Sequence, residues 1–248
     1  MHGESINNNS LRSDRFATTC WTMVVAAGQE DSPATRRAME SLCQRYWSPL
    51  YFYLRRRGHD GSQAEDLVQG FFAHLLEKHG LQTVKPQEYK FRSFLLASLK
   101  NFVIDQWRRA QRERRSSGHR TVPLELERAE ARYCLEPADR LSADKLFNRA
   151  WAMSIIERAF EMIKREYIDA GKSELFEQLK DHITIEPLTS SRRQCADHLG
   201  MSEGAVRMAV HRLRRRLREL IRSEIAETVT TAEQLEEEIQ DLFAAFEP

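Results

Sequence analysis

The stretch RRQCADHLGMSEGAVRMAVHRLRRRLREL, residues 192–220, decides the fold of the C-terminal half of the chain. It divides into a short helix, a turn at residues 199–201 and a longer helix for which Ser202 is the N-cap. Hydrophobic residues recur in the longer helix at steps of three and four, as expected for a helix with one buried face: Val206, Val210, Leu213, Leu217 and Leu220. The pattern predicts a helix-turn-helix, whose second helix fits the major groove of DNA.

A second face of the same helix is basic. Its members lie a quarter turn or more from the buried stripe: Arg207, His211, Arg214, Arg218 and Arg222. We expect Arg207, near the start of the helix, to read base edges, and Arg215 and Arg218 to bind phosphates. The other interpretation is an ordinary solvated face.

Charge is segregated along a chain of 248 residues whose formal net charge is only +1. Residues 192–222 contain nine arginines and three acids, whereas residues 224–248 contain eight acids and neither Lys nor Arg. A second basic run, WRRAQRERR, occupies residues 107–115. Two separate basic segments in a nearly neutral protein predict that a polyanion is bound at two places.

Composition excludes several classes of protein. Hydrophobic residues make up 41% of the chain and charged residues 30%, which favours a soluble globular protein. No segment has the roughly 20 apolar residues of a membrane span, and the N-terminus has no signal-peptide core, so we expect a cytoplasmic protein. The four cysteines are far apart and form no C-x-x-C pair, so we expect no disulfide, metal or cofactor.

Hydrophobic spacing is helical almost throughout and predicts an all-α fold. We expect a first domain at residues 14–115, a linker at 116–142 that mixes Ser, Gly, Pro and charge, and a second domain at 143–225. An acidic amphipathic helix follows at 226–248.

This C-terminal helix has a capping box at its start, formed by Thr231 and Gln234. Its hydrophobic face contains Leu235, Ile239, Leu242, Phe243 and Phe246. One hypothesis is that the helix packs back near the Arg-rich helix and masks it from DNA. The alternative is that it only covers an apolar patch of the second domain.

The helix predicted at residues 92–112 has two distinct faces. Its expected core stripe, helped by Leu95 and Phe102, consists of Leu96, Leu99, Val103, Trp107 and Ala110. Its polar face consists of Phe94, Asn101, Asp105, Arg108 and Arg112. An aromatic ring that stacks on a base, an amide for a base edge and arginines for the backbone suit unpaired nucleic acid. The alternative is that Phe94 folds back as a staple against the preceding loop.

The segment QAEDLVQGFFAHLLEKHG, residues 63–80, predicts a helix capped by Ser62 and closed by Gly80. One face presents Asp66, Gln69, Gly70 and Ala73. Two small residues beside an acid and an amide make a flat patch against which another protein's helix could lie, although an ordinary solvated face is the alternative.

Three segments together resemble the extracytoplasmic-function sigma factors, the two-domain promoter-recognition subunits of bacterial RNA polymerase. They are AEDLVQGFF at 64–72, FRSFLLASLKNFVIDQWRRAQRERR at 91–115 and CADHLGMSEGAVRMAVHRLRRRLREL at 195–220. The resemblance covers roughly residues 35–115 and 145–225. It implies a sigma region 2 helical bundle and a sigma region 4 helix-turn-helix joined by a flexible linker.

The resemblance also assigns roles to residues. It implies docking on core RNA polymerase by Asp66, Leu67 and Gln69. Contact with the melted −10 strand falls to Asn101, Asp105, Arg108 and Arg109, beside Phe94 and Arg112, and a flipped base falls to the loop at 85–90. Contact with the −35 element in the major groove falls to Ser202, Glu203, Arg207 and His211.

The implied function is transcription initiation, with core polymerase and promoter DNA as partners and an anti-sigma factor or other regulator as a further possible one. The chain departs from the usual pattern at Arg193-Gln194-Cys195, where family members carry a Glu, in a longer stretch before the helix-turn-helix, and in the acidic C-terminal extension. The overall plan resembles a lineage of these factors common in planctomycetes.

Two other classes of function compete with this one. A metal nuclease at Asp60, Glu65 and Asp66, or a zinc site at Cys195, His198 and His211, lacks the ligands that such sites need, so we expect no enzyme. A stand-alone helix-turn-helix regulator explains the C-terminal arginines, but it does not explain the polar face of the helix at 92–112.

Overall fold

The computed structural model describes residues 33–77, 90–113, 142–183 and 189–247. Within these ranges it is helical and contains no strand, which confirms the all-α prediction. Its α-helices are α1 (Pro33–Arg56), α2 (Gly61–Glu77), α3 (Phe91–Glu113), α4 (Ala143–Asp169), α5 (Ser173–Leu179), α6 (Thr189–Leu199), α7 (Glu203–Ala226) and α8 (Ala232–Ala244). A 3₁₀ turn at Lys180–His182 follows α5. None of these helices is long and apolar enough to span a bilayer.

The chain divides into two compact units. The first unit combines Met1–Ser154 with Ile225–Pro248, and the second unit is Ile155–Glu224. This division differs from the predicted second domain at 143–225, because the first half of α4 and the end of α7 belong to the first unit. The predicted linker lies outside the described residues except for Ser142.

The core of the first unit is rich in aromatic residues. Tyr46 of α1 is fully buried, which raises its pKa to about 12, and its ring meets the edge of Phe91 at 5.1 Å between centroids. Aromatic rings bury large apolar areas, so a few of them stabilise this core. The buried hydrophobic residues of α3 are Phe91, Leu95, Leu99 and Phe102.

The predicted core stripe of α3 is therefore partly wrong. Trp107 is 62% exposed, and Leu96 and Val103 are only half-buried. The side chain of Ala110 lies outside the described residues. The prediction is confirmed for Leu99, Leu95 and Phe102, which are buried. Hydrophobic residues lie on two neighbouring faces of α3, and α2 packs on the one that contains Phe102.

Asp60 is the residue that caps α2. The backbone N–H of Gln63 donates to Asp60 Oδ1 at 2.9 Å, and the N–H of Asp60 donates to Gln63 Oε1 at 3.3 Å. This reciprocal pair is a capping box with Asp in place of Ser or Thr. The prediction that Ser62 caps the helix is wrong, since Ser62 lies inside the first turn. The predicted closing residue, Gly80, lies outside the described residues.

The C-terminal helix α8 begins at the predicted cap, where the N–H of Gln234 donates to Thr231 Oγ1 at 3.2 Å. Leu235 and Leu242 are buried, but Phe243 is 67% and Phe246 40% exposed, so the hydrophobic face is narrower than predicted. The helix belongs to the first unit. There it meets two cations, Lys90 and the buried Arg92, described below. The two hypotheses that place the helix on the second domain stay predictions.

We predict that Leu242→Ala destabilises the first unit by about 2–5 kcal/mol, because it leaves a cavity under α8. Phe243→Ala, one residue further along the same helix, should change the free energy of unfolding by less than about 0.5 kcal/mol, because that ring is exposed. All four tryptophans lie in residues 1–154, so denaturant unfolding followed by tryptophan fluorescence reports the first unit. Equal effects of the two substitutions would contradict this packing.

Candidate nucleic-acid interface

The second unit contains the predicted helix-turn-helix. Gly200 ends α6 with φ +61°, a left-handed conformation that glycine adopts without a Cβ clash. The N–H of Met201 then donates to the carbonyl of Ala196 at 2.9 Å. Ser202 Oγ accepts from the N–H of Ala205 at 3.2 Å, which confirms Ser202 as the N-cap of α7.

The predicted buried stripe of α7 packs in a core that includes Cys195 and Ala196 of α6. Val206 and Leu213 are fully buried, and Leu220 is 3% exposed. Leu217 is only half-buried and lies at the edge of the core. The helix is thereby fixed with one face inward, and its opposite face is left for solvent or a ligand.

Six of the predicted −35 contacts lie on that outer surface: Ser202, Glu203, Arg207, His211, Arg215 and Arg218 are all exposed. Glu203 accepts a hydrogen bond from Arg193 Nε at 3.0 Å across the turn. Arg215 lies 3.6 Å from Glu219, one turn along the helix. The structure thus brings an acid, a histidine and three arginines to one accessible face.

Arg214 faces a different environment. Its Nε donates to the carbonyl of Ile183 at 3.0 Å and its Nη2 to the carbonyl of His182 at 2.8 Å. These carbonyls end the 3₁₀ turn and would otherwise lack helical partners. Arg214 is half-buried and ties α7 to this turn, which corrects its placement on the DNA-facing surface.

Arg216 is a second structural arginine within the basic run. It donates to Glu166 of α4, with Nε 2.9 Å from Oε2, and to Glu219 at 3.2 Å. The hydrogen bond from Arg216 holds the pKa of Glu166 below its usual range. Charge spacing carries no signal for this role, because Arg216 and the neighbouring arginines differ only in the element that each one faces.

We predict that Arg214→Ala lowers the stability of the second unit by about 2 kcal/mol, because two hydrogen bonds from a charged donor are lost. Arg215→Ala removes the same charge from the neighbouring exposed position and should change stability by less than about 0.5 kcal/mol. Hydrogen exchange of the α7 amides, measured without DNA, separates the two. Equal protection in both variants would contradict the structural role of Arg214.

The polar face of α3 is accessible in the first unit. Asn101, Asp105, Arg108 and Arg109 are exposed, and Arg108 Nη1 lies 3.5 Å from Asp105 Oδ1. The side chain of the sixth predicted contact, Arg112, lies outside the described residues. These groups form a row of hydrogen-bonding and basic side chains along one side of the helix.

Phe94 lies at the start of this row and is half-buried. Its ring centroid is 6.3 Å from that of Phe91, so one part of the ring packs on the core. The rest of the ring is open to solvent. Its position is compatible with stacking on a base and with the staple that was the alternative.

The predicted docking patch on α2 is also accessible. Asp66 and Gln69 are exposed, Leu67 is half-buried, and Gln69 Nε2 donates to Glu65 Oε1 at 3.1 Å. Gly70, however, does not belong to an open patch. A Cβ at this position would lie 3.4 Å from Cζ of Phe102, so Gly70 is where α2 packs closely on α3.

An apolar groove beside this patch was not predicted from the sequence. It lies between α2 and α3, has a volume of about 530 Å³ and is lined by Asp66, Leu67, Val103, Ile104 and Trp107. Ile104 is 47% and Trp107 62% exposed. The sequence pattern missed this groove because it assigned Trp107 to the core.

The described residues contain no cluster of three or more His, Cys, Asp or Glu side chains that could bind a metal ion. Burial raises the pKa of the Cys43 thiol to about 11 and also raises that of Cys195. Both thiols are therefore protonated at neutral pH and poor nucleophiles. Cys20 and Cys134 lie outside the described residues.

Comparison with known proteins identifies one segment. Residues 42–113 match the family model of Sigma-70 region 2. No match is found among curated proteins or among solved structures. The matched segment contains most of α1 and all described residues of α2 and α3, so it includes both the docking patch and the polar face of α3. The match supports a sigma-70 family sigma factor that recognises promoters together with RNA polymerase.

Proposed function

We propose that the protein is a sigma factor of the extracytoplasmic-function type, of the planctomycete-like lineage, that directs core RNA polymerase to promoters in the cytoplasm. The observation that carries the proposal is the Sigma-70 region 2 match over α2 and α3. The exposed docking and polar residues of these two helices support it. The chain itself supplies recognition, and RNA synthesis belongs to the polymerase.

In this proposal the second unit reads the −35 element as a duplex. The N-terminal end of α7 enters the major groove, where Arg207 and His211 reach base edges beside Ser202 and Glu203. Arg215 and Arg218, further along the helix, bind backbone phosphates, which adds affinity with little sequence preference. The exposure of these side chains supports this division.

The first unit captures the −10 strand after the duplex has opened. Phe94 stacks on an unpaired base, and Asn101 bonds a base edge. Arg108, Arg109 and Arg112 hold the backbone, while Asp105 orients Arg108 through their ion pair. A duplex would leave Phe94 without a base face to stack on, so the row of side chains favours a single strand.

Docking on core polymerase uses Asp66, Leu67 and Gln69 together with the adjoining groove. A helix of the polymerase would place an apolar side chain between Leu67 and Trp107 and a basic one next to Asp66. Burial of an exposed tryptophan is typical of the residues that dominate interface energies. An anti-sigma factor or other regulator would act by covering the same surfaces.

The second candidate is a stand-alone helix-turn-helix regulator, which the exposed arginines of α7 favour by themselves. The purified chain, core polymerase and a set of genomic promoter fragments distinguish the two. A sigma factor yields specific transcripts only when core is present. A regulator binds its sites without core and adds no transcripts, and that result would overturn the proposal.

We predict that Arg207→Ala and Arg218→Ala have different effects on promoter binding. Loss of a base contact at Arg207 should cost about 1–3 kcal/mol on the cognate −35 sequence and relax specificity there. Loss of a phosphate contact at Arg218 should weaken binding to all sequences and reduce the salt slope by about 1. Binding by holoenzyme across −35 variants and salt concentrations measures both, and the same profile for both variants would refute the division of roles.

We predict that Asp66→Ala weakens core binding by at least about 1 kcal/mol and leaves α2 folded, because the side chain is exposed. Glu40→Ala is the matched control, since it removes an exposed acid from α1 of the same unit. Competition for core polymerase against a labelled wild-type chain measures the difference. Normal core affinity of the Asp66 variant would contradict the docking assignment.

A further inference from the structure

Two basic residues at the start of α3 are surrounded by carboxylates of α8. Lys90 Nζ lies 2.9 Å from Asp241, 3.2 Å from Glu237 and 3.8 Å from Glu238. Arg92 Nη2 lies 2.6 Å from Asp241 and 3.2 Å from Glu238. Two cations thus converge on three carboxylates, which is an arrangement suited to binding a polyanion.

Arg92 is held in place by α4 as well. Its Nη1 donates to Asn148 Oδ1 at 2.6 Å, and its guanidinium lies 4.2 Å from the ring centroid of Trp151. The residue is 6% exposed. Its orientation is therefore fixed by neighbours other than the acids.

The carboxylates do not satisfy this guanidinium completely. Among the described residues, the buried Nε of Arg92 has no hydrogen-bond acceptor. A phosphate presents more acceptor oxygens than a single carboxylate and pairs with guanidinium in a fork geometry. The contacts with α4 and α8 therefore leave part of the hydrogen-bonding capacity of Arg92 unused.

Burial makes Glu238, one of the three occupying acids, costly to keep charged. Desolvation raises the pKa of Glu238 despite the opposing effect of Arg92. Burial also acts to raise the pKa of Asp241, but Lys90 and Arg92 outweigh it and hold that pKa below its usual range. Buried ion pairs of this kind recover little more than their desolvation cost, so an external anion can compete with them.

The position of Lys90 connects this site to the polar face of α3. Its carbonyl accepts the N–H of Phe94 at 3.1 Å, so Lys90 is in helical register with that residue. Steps of four and seven lead from Lys90 to Phe94 and Asn101 and keep all three on one side of the helix. A strand that follows the polar face of α3 would therefore reach Lys90 at its end.

We propose that Lys90 and Arg92 form a binding site for nucleic-acid phosphate, and that α8 occupies it with Glu237, Glu238 and Asp241 until single-stranded DNA displaces them. This rests on the proposed capture of an open strand by the first unit. The acidic helix is then an internal competitor of the −10 strand.

The test uses the full chain and a short labelled single-stranded oligonucleotide. Glu237→Gln combined with Asp241→Asn removes two charges from the site and leaves Leu235 and Leu242 in place. Glu233→Gln combined with Glu247→Gln removes two charges from the same segment away from Lys90. We expect the first variant alone to bind more tightly than wild type, with a salt slope steeper by about 0.7 for each cation released.

Adding Lys90→Gln to the first variant should abolish the gain, and tryptophan-monitored unfolding checks that each variant is folded. In the wild type, saturating oligonucleotide should increase hydrogen exchange in α8. If the wild-type chain binds but neither the affinity of the first variant nor the exchange of α8 changes, the inference is overturned and strand capture stands. If no variant binds the oligonucleotide, both fail.

Discussion

The first unit depends on how the charge of Arg92 is accommodated. A guanidinium cannot lose its proton at physiological pH, so burying it requires partners that replace water. Those partners come from Asn148 and Trp151 on α4 and from Glu238 and Asp241 on α8. One arginine thus joins three segments that are far apart in the sequence, and this explains why the first unit includes both the start of α4 and the whole of α8.

The same reasoning separates the arginines of α7 into two groups. Arg214 and Arg216 stabilise the second unit itself. Arg214 donates to the carbonyls after α5, and Arg216 donates to Glu166. Arg207, Arg215 and Arg218 are exposed and remain available to a ligand. The core stripe thus leaves α7 with arginines that stabilise its own unit and with others that are open to a ligand.

Local signals were sufficient for the helices, the turn at Gly200 and the caps at Thr231 and Ser202, because each depends on neighbours within four residues. They were not sufficient to predict which elements pack against each other. Periodicity shows that α3 has apolar faces, but it does not tell which of two adjacent faces α2 will cover, and Trp107 was placed on the wrong one. The segregation of charge along the chain suggested that the acidic helix packs near the Arg-rich helix. In the structure the helix pairs with Lys90 and Arg92 of the first unit, a long-range contact for which the sequence carries no local signal.

A net charge near zero does not tell which acids pair with which cations. Glu237, Glu238 and Asp241 of α8 pair with Lys90 and Arg92 inside the first unit. Arg207, Arg215 and Arg218 of α7 are exposed, so they can attract a polyanion although the composition of the protein is balanced.

On α3, the polar face and the Trp107 groove lie on different sides of a single helix. A partner seated in the groove and a strand on the polar face can consequently bind at the same time, and both are aligned by the packing of Gly70 on Phe102 and by the buried Arg92.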